Sequence, residues 1–259
     1  SLIYLFFKMI AKLSRSIHST NIFNKNILNI EHINSIPGNK KSFLSHSLFN
    51  NNFGIGSQRP LFLQIDRPKN SLNEANRIKN EAKMNCRYGL MYYEGIRTQQ
   101  NYEKSVYYYR LAADKGDLQA QFSLGILYYC GIGIKSPDKD TSFQYLKLAA
   151  LNGHPKAQYC YAICLANGEG TKINKTKAVR YFRLSAENGY DEAQYCYGRC
   201  LFNAFGVKKD YKEAVKFFKK SLDQGNAKAA FFYALCLYQG LGIKEDKIES
   251  LKYMKYSAD

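Results

Sequence analysis

One six-residue segment recurs along the second half of this chain at a nearly fixed step, and a fixed period constrains the fold more than any other feature. Ala120-Gln-Phe-Ser-Leu-Gly125 returns as residues 157–162, 193–198 and 229–234, steps of 37, 36 and 36 residues, with a weaker copy at Met84–Gly89. That makes five units, and each has the parts of a helical hairpin. A small residue stands in the first helix at Gly89, Gly125, Ala162, Gly198 and Ala234, where only Gly or Ala lets a second backbone come close. A glycine turn follows at Gly131-Ile132-Gly133, Gly168-Glu169-Gly170 and Gly240-Leu241-Gly242, with Gly95 and Gly206 as partial versions. Asn101, Asp138, Asn174, Asp210 and Asp246 then form a column of N-cap residues, whose side-chain oxygens accept from the first free N–H groups of a second helix. Glu213 and Glu249, three residues on, complete the pattern of a capping box. The second helix carries Ser105, Ser142, Ala178, Ala214 and Ser250, and stops at Gly116, Gly153, Gly189 and Gly225.

A hairpin of this size cannot bury its own apolar face, whereas a stack of hairpins can. The pattern therefore predicts an all-α fold, a right-handed α-α superhelix of about five hairpins of 36–37 residues each. The first helices are apolar nearly all round, as in residues 159–166, and are expected inside. The Lys-rich second helices are expected outside. Residues 71–259 are assigned to this solenoid. Its last second helix reaches Asp259 without a polar cap, so further sequence is expected beyond it. Residues 1–70 hold ten Asn, with breakers at Pro37-Gly38 and Arg59-Pro60, and show no sustained helical period. They are expected to be a disordered Asn/Lys-rich leader. If translation starts at Met9, the stretch to His18 has no acid and would read as a mitochondrial presequence; otherwise a cytoplasmic protein is expected.

The repeat columns resemble the Sel-1-like repeat family, relatives of the tetratricopeptide repeats. The closest unit runs Ala120, Leu124-Gly125, Tyr128, Gly131-x-Gly133, Asp138, Ala149-Ala150 and Gly153, and the likeness covers roughly residues 80–259. Arg97 stands where the second turn glycine belongs, Ala204 replaces the first, and Leu165, Leu201 and Leu237 replace the family tyrosine at the position of Tyr128. The resemblance implies a non-enzymatic scaffold or adaptor that binds proteins or peptides.

Composition excludes little. The net charge of +17 raises an RNA-binding helical repeat as an alternative. Residues 1–70 carry nine Lys/Arg against two acids, and the remainder 29 against 19, so the excess is spread rather than concentrated. A regulatory or targeting part of a larger enzyme is the other alternative. No run reaches the roughly 18 apolar residues of a membrane span. Seven cysteines cannot all pair. Cys160/Cys164 and Cys196/Cys200 are four apart on one helix face, but they are repeat-equivalent, as small core residues are when a unit duplicates. No metal or cofactor is expected. Three of the four histidines lie in the leader, and His154, beside Pro155, reads as a solvated turn residue. No catalytic set is found.

The candidate partner-binding face is the stripe two, six and nine residues after the leading small residue of each first helix. It comprises Phe122, Ile126 and Tyr129; Tyr159 and Ile163; Tyr195, Arg199 and Phe202; and Tyr238. The opposite stripe holds the small residues that must meet second helices. The competing assignment is that the chosen stripe packs against the next hairpin.

Overall fold

The computed structural model describes residues 69–258. The disordered-leader assignment for residues 1–70 falls almost wholly outside them, as do Met9, its presequence stretch and His18, His32 and His46. The described residues form ten helices and no strand. First helices are α1 (Lys69–Glu94), α3 (Leu118–Cys130), α5 (Pro155–Asn167), α7 (Asp191–Asn203) and α9 (Ala227–Gln239). Second helices are α2 (Tyr102–Asp114), α4 (Lys139–Leu151), α6 (Lys175–Glu187), α8 (Tyr211–Asp223) and α10 (Lys247–Tyr256). Each packs chiefly on its neighbours in the chain, which gives an all-α solenoid of five hairpins.

The predicted cap column is where the second helices begin. Asn101, Asp138, Asn174, Asp210 and Asp246 each accept from the backbone N–H three residues on, at 2.8–2.9 Å. The reciprocal half of the capping box at Glu213 and Glu249 is not needed. The Asp210 and Asp246 amides already donate to the carbonyls of Leu201 and Leu237, and the other three caps donate alike to Tyr92, Tyr128 and Leu165. One bond per unit thus ties the start of each second helix to the end of its first. The stops are Schellman turns. Gly116 and Asp117 donate to Ala113 and Ala112, and the same pair of bonds recurs at Gly153, Gly189 and Gly225.

The small columns set the depth of packing. A Cβ on Gly125 would lie 2.7 Å from Leu146, and one on Gly198 2.7 Å from the Phe218 ring. Close approach also lets the Ser105, Ser142 and Ser250 hydroxyls donate to the Gly89, Gly125 and Ala234 carbonyls at 2.7–2.8 Å. Between hairpins, Gln121, Gln158 and Gln194 donate to the Ala113, Ala150 and Ala186 carbonyls at the end of the preceding second helix. One core runs through the second to fifth hairpins, with Tyr161, Phe182 and Phe218 almost wholly buried, and a smaller one surrounds Tyr109. Each such side chain contributes roughly 1.5–3 kcal/mol by leaving water.

Candidate functional site

Helical register and stacking decide which side chains of the first helices stay open. Residues at i, i+4, i+7 and i+11 share one helix face. On α3 these are Gln119, Ser123, Ile126 and Cys130, and all but Ser123 are partly exposed. On α5 the open members are Lys156 and Asn167, and on α7 they are Glu192, Arg199 and Asn203. On α9 they are Lys228 and Gln239. An open line therefore crosses four successive hairpins at the helix ends, and its centre is open only at Ile126 and Arg199.

Of the nine residues picked from sequence, Ile126 and Arg199 lie on this line, while Tyr129 and Tyr238 are partly exposed beside it. The other five are core. Phe122 stacks on His154 at 4.8 Å, and Tyr159 packs against Phe182 and Tyr190. Tyr195 meets Phe232, and Phe202 meets Tyr211, Phe218 and Phe232. Ile163 is 0% exposed. All five are covered by adjacent helices, Ile163 although it shares the register of the line. Lys156, Asn167 and Asn203 were missed, although they lie on the same face as Ile163 and Arg199 at spacings of seven and four. The signal was a polar residue at both ends of an otherwise apolar helix.

Arg199 is the unusual member. Its column otherwise holds Ile126, Ile163 and Leu235. Its guanidinium lies 5.3 Å from the Tyr195 ring centre, one turn earlier on α7, and 5.7 Å from that of Phe232 on α9, two cation–π contacts. Its neighbours are neutral at pH 7: burial pushes the Cys196 thiol and the Tyr195 phenol up to about 12. Glu192, at the end of the same face, is held by Lys228 at 3.4 Å. Tyr129 is engaged differently, with Lys139 Nζ 5.3 Å from its ring centre and burial, then a hydrogen bond with Glu169, raising its hydroxyl pKa.

A second place brings chemically capable groups together. Cys86, Asp117 and His154 line a cleft of about 760 Å³ between α1 and the start of α3. Its geometry does not make a nucleophile. Burial, then Asp117, raise the Cys86 thiol pKa, which keeps it protonated. His154 is not the solvated turn residue expected from sequence. Its Nδ1 accepts from the Ala157 N–H at 3.1 Å and so caps α5, leaving Nε2 to face Gln119 Oε1 at 3.3 Å. Burial, then Lys156, lower its pKa to about 4, because a charged ring would lose the cap and sit in an apolar stack. The remaining cysteines are unpaired thiols, and Cys130 and Cys160 are raised by burial to about 11 and about 12. Among the described residues no three His, Cys, Asp or Glu side chains are grouped to hold a metal.

The chain is similar to two solved structures of the same architecture. One is a Sel1 repeat protein from Oxalobacter formigenes, 31% identical, with a TM-score of 0.65 over 73% of this chain and 77% of that one. The other is a protective antigen present in uropathogenic Escherichia coli strains that displays an SLR fold. It is 30% identical, also with a TM-score of 0.65, over 71% of this chain and 40% of that one. An F-box protein of Arabidopsis thaliana is 36% identical over 80 residues, which are 31% of this chain and only 21% of that protein. The chain thus spans less than half the length of two of these three relatives. The sequence model of the Sel1 repeat matches residues 82–117, 118–154, 155–190, 191–226 and 227–259 in unbroken succession, and on that match the chain belongs to the Sel1 repeat family.

Proposed function

We propose that this protein is a non-enzymatic interaction scaffold that holds another protein or peptide along the open line of its first helices. The observation that carries this reading is Arg199, a partly open charge set between two rings in a column otherwise filled by Ile and Leu. A core position keeps no charge for stability, since an apolar side chain of similar size packs there without desolvation cost. Arginine flanked by aromatic rings is instead a common centre of binding energy at interfaces. Ile126, Tyr129 and Tyr238 add partly exposed apolar area on α3 and α9. The five buried residues act behind this surface by fixing the spacing of the helices. No small-molecule substrate or cofactor is required. Among the described residues no helix is long and apolar enough to cross a membrane.

The test compares the full chain with its Arg199→Ala/Tyr129→Ala variant, as bait in a cell extract treated or untreated with nuclease. The expected result is capture of proteins that survives nuclease, is lost in the variant, and is lost with nearly unchanged melting temperature. Nuclease-sensitive capture would favour the RNA-binding reading. A variant that melts early, or one that captures the same proteins undiminished, would overturn this assignment of the face.

A further inference from the structure

The first helix is built unlike the other four first helices. It runs for 26 residues where each of the others has 13, and the Sel1 match begins only at Ala82, so residues 69–81 form an overhang outside the repeat. Residues 72–81 are all exposed. A helix of that length is marginal in water by itself and is stabilised by packing an amphipathic face. The overhang has such a face. Leu72, Ala75, Ile78 and Ala82 follow one another at steps of three and four, with Leu72 65% and Ile78 40% exposed. Ala75, Ile78 and Ala82 line one side of the cleft of about 760 Å³, and Gly116 and the half-buried Leu118 line the other. A Cβ on Gly116 would meet nothing within 4 Å, so the groove is open there.

The charges along this groove are one-sided. Its acids are already engaged: Glu74 by Arg77 at 2.7 Å, Glu81 by Lys115, and Asp117 by the Ala120 N–H at the start of α3. Lys79 and Lys83, one turn apart on the α1 side, have no ion-pair or hydrogen-bond partner among the described residues. That imbalance decides between occupants. Residues 1–70 carry nine Lys/Arg against two acids, and a second copy carries the same net +17, so neither complements the lysines. A membrane surface is a poor match, since two of the four stripe residues are alanine and Glu74 and Glu81 border it.

We infer that this groove receives an amphipathic helical segment of another protein, whose apolar side chains lie on Ala75, Ile78 and Leu118 and whose Asp or Glu side chains pair with Lys79 and Lys83. The surface is separate from Arg199 and Tyr129, so it stands or falls apart from the face assigned above.

The probe is a phage-displayed library of random dodecapeptides with leucine fixed at two positions one helical turn apart. It is panned on the full chain, on its Lys79→Glu/Lys83→Glu and Ile78→Gln variants, and on Arg199→Ala/Tyr129→Ala, each first shown to melt within a few degrees of the parent. The parent is expected to select a pool at least about twofold enriched in Asp and Glu, and the charge-reversed protein a pool enriched in Lys and Arg. A synthetic peptide from the parent's pool should bind about tenfold more weakly to the charge-reversed protein and about threefold more weakly to Ile78→Gln. On the Arg199→Ala/Tyr129→Ala protein its affinity should be unchanged, and on the parent it should slow amide exchange within residues 72–86. Should one groove variant fail to fold, the other and the exchange pattern still decide the matter. Selection without acidic enrichment, enrichment that persists after charge reversal, or protection elsewhere in the chain would overturn the proposal. So would a library from which nothing is selected, with the lysines instead binding vesicles of phosphatidylcholine and phosphatidylserine or binding neither.

Discussion

His154 shows how one side chain can be structural and still carry a measurable signature. Its neutral ring caps α5, as Asp117 and Asn226 cap α3 and α9 from the same repeat position. Folding lowers its pKa from 6.5 to about 4, so between these values the unfolded chain binds a proton that the native ring refuses. Stability is therefore full above about pH 6.5 and falls as the pH drops toward 4, by at most about 3 kcal/mol given that the ring is partly open. His154→Asn keeps a cap of the kind Asn226 provides and removes the titration. Thermal melts at pH 7 and pH 4.5 should show a smaller drop for the variant than for the parent, and equal drops would mean that the ring is protonated in the native state. The five second-helix caps were legible in sequence because Asn and Asp recur in register before each second helix. This cap was not, since histidine is a weak cap signal and its role depends on Phe122 and Gln119, each more than thirty residues earlier. Tyr190 fills the same position without a side-chain cap and is retained by its edge-on contact with Tyr159.

At the level of the elements, the turn glycines differ in what they do. The second glycine of each turn lies against the first turn of the preceding hairpin's second helix. A Cβ on Gly170 would overlap the Lys139 carbonyl, one on Gly242 would overlap the Tyr211 carbonyl carbon, and one on Gly206 would come within 2.7 Å of Lys175 backbone. Arg97 tolerates the left-handed conformation, φ 58°, at the head of this column because no described second helix precedes it. Ala204 pays only the conformational strain, φ 56°, since the first turn position does not seat on that neighbouring backbone. Gly170→Ala combines strain with a clash against backbone and should cost roughly 2–4 kcal/mol. Arg97→Gly, relieving strain alone, should stabilise by about 1 kcal/mol. Urea unfolding of both variants measures this, and a Gly170→Ala loss no larger than the Arg97→Gly gain would mean that the turn does not seat on the neighbouring hairpin. Helix existence, order and starts were legible because cap, small residue and stop recur in fixed columns. The open face was not. It lies at one residue before and six and ten residues after the leading alanine, whereas the sequence suggested two, six and nine. That offset depends on how far each hairpin rotates on the last, which packing at Phe122, Tyr159 and Tyr195 sets and no single helix encodes.

Across the whole molecule, the division of labour follows from the layers. Both helices of each hairpin contribute to the core, the second helices carry most of the exposed lysines, and the first helices carry the open line. The number of units and the fold class follow from the period alone, while the choice between scaffold and nucleic-acid binder does not follow from a charge spread along the chain. Site-specific photocrosslinking tests the central claim most directly. A benzophenone amino acid is placed at Asn203, on the open line of α7, and separately at Lys216, exposed on α8. After irradiation in cell extract, the account predicts discrete protein adducts from position 203 that resist nuclease, and none of those adducts from position 216. Adducts formed equally or only from position 216, or adducts from 203 that nuclease removes, would contradict it.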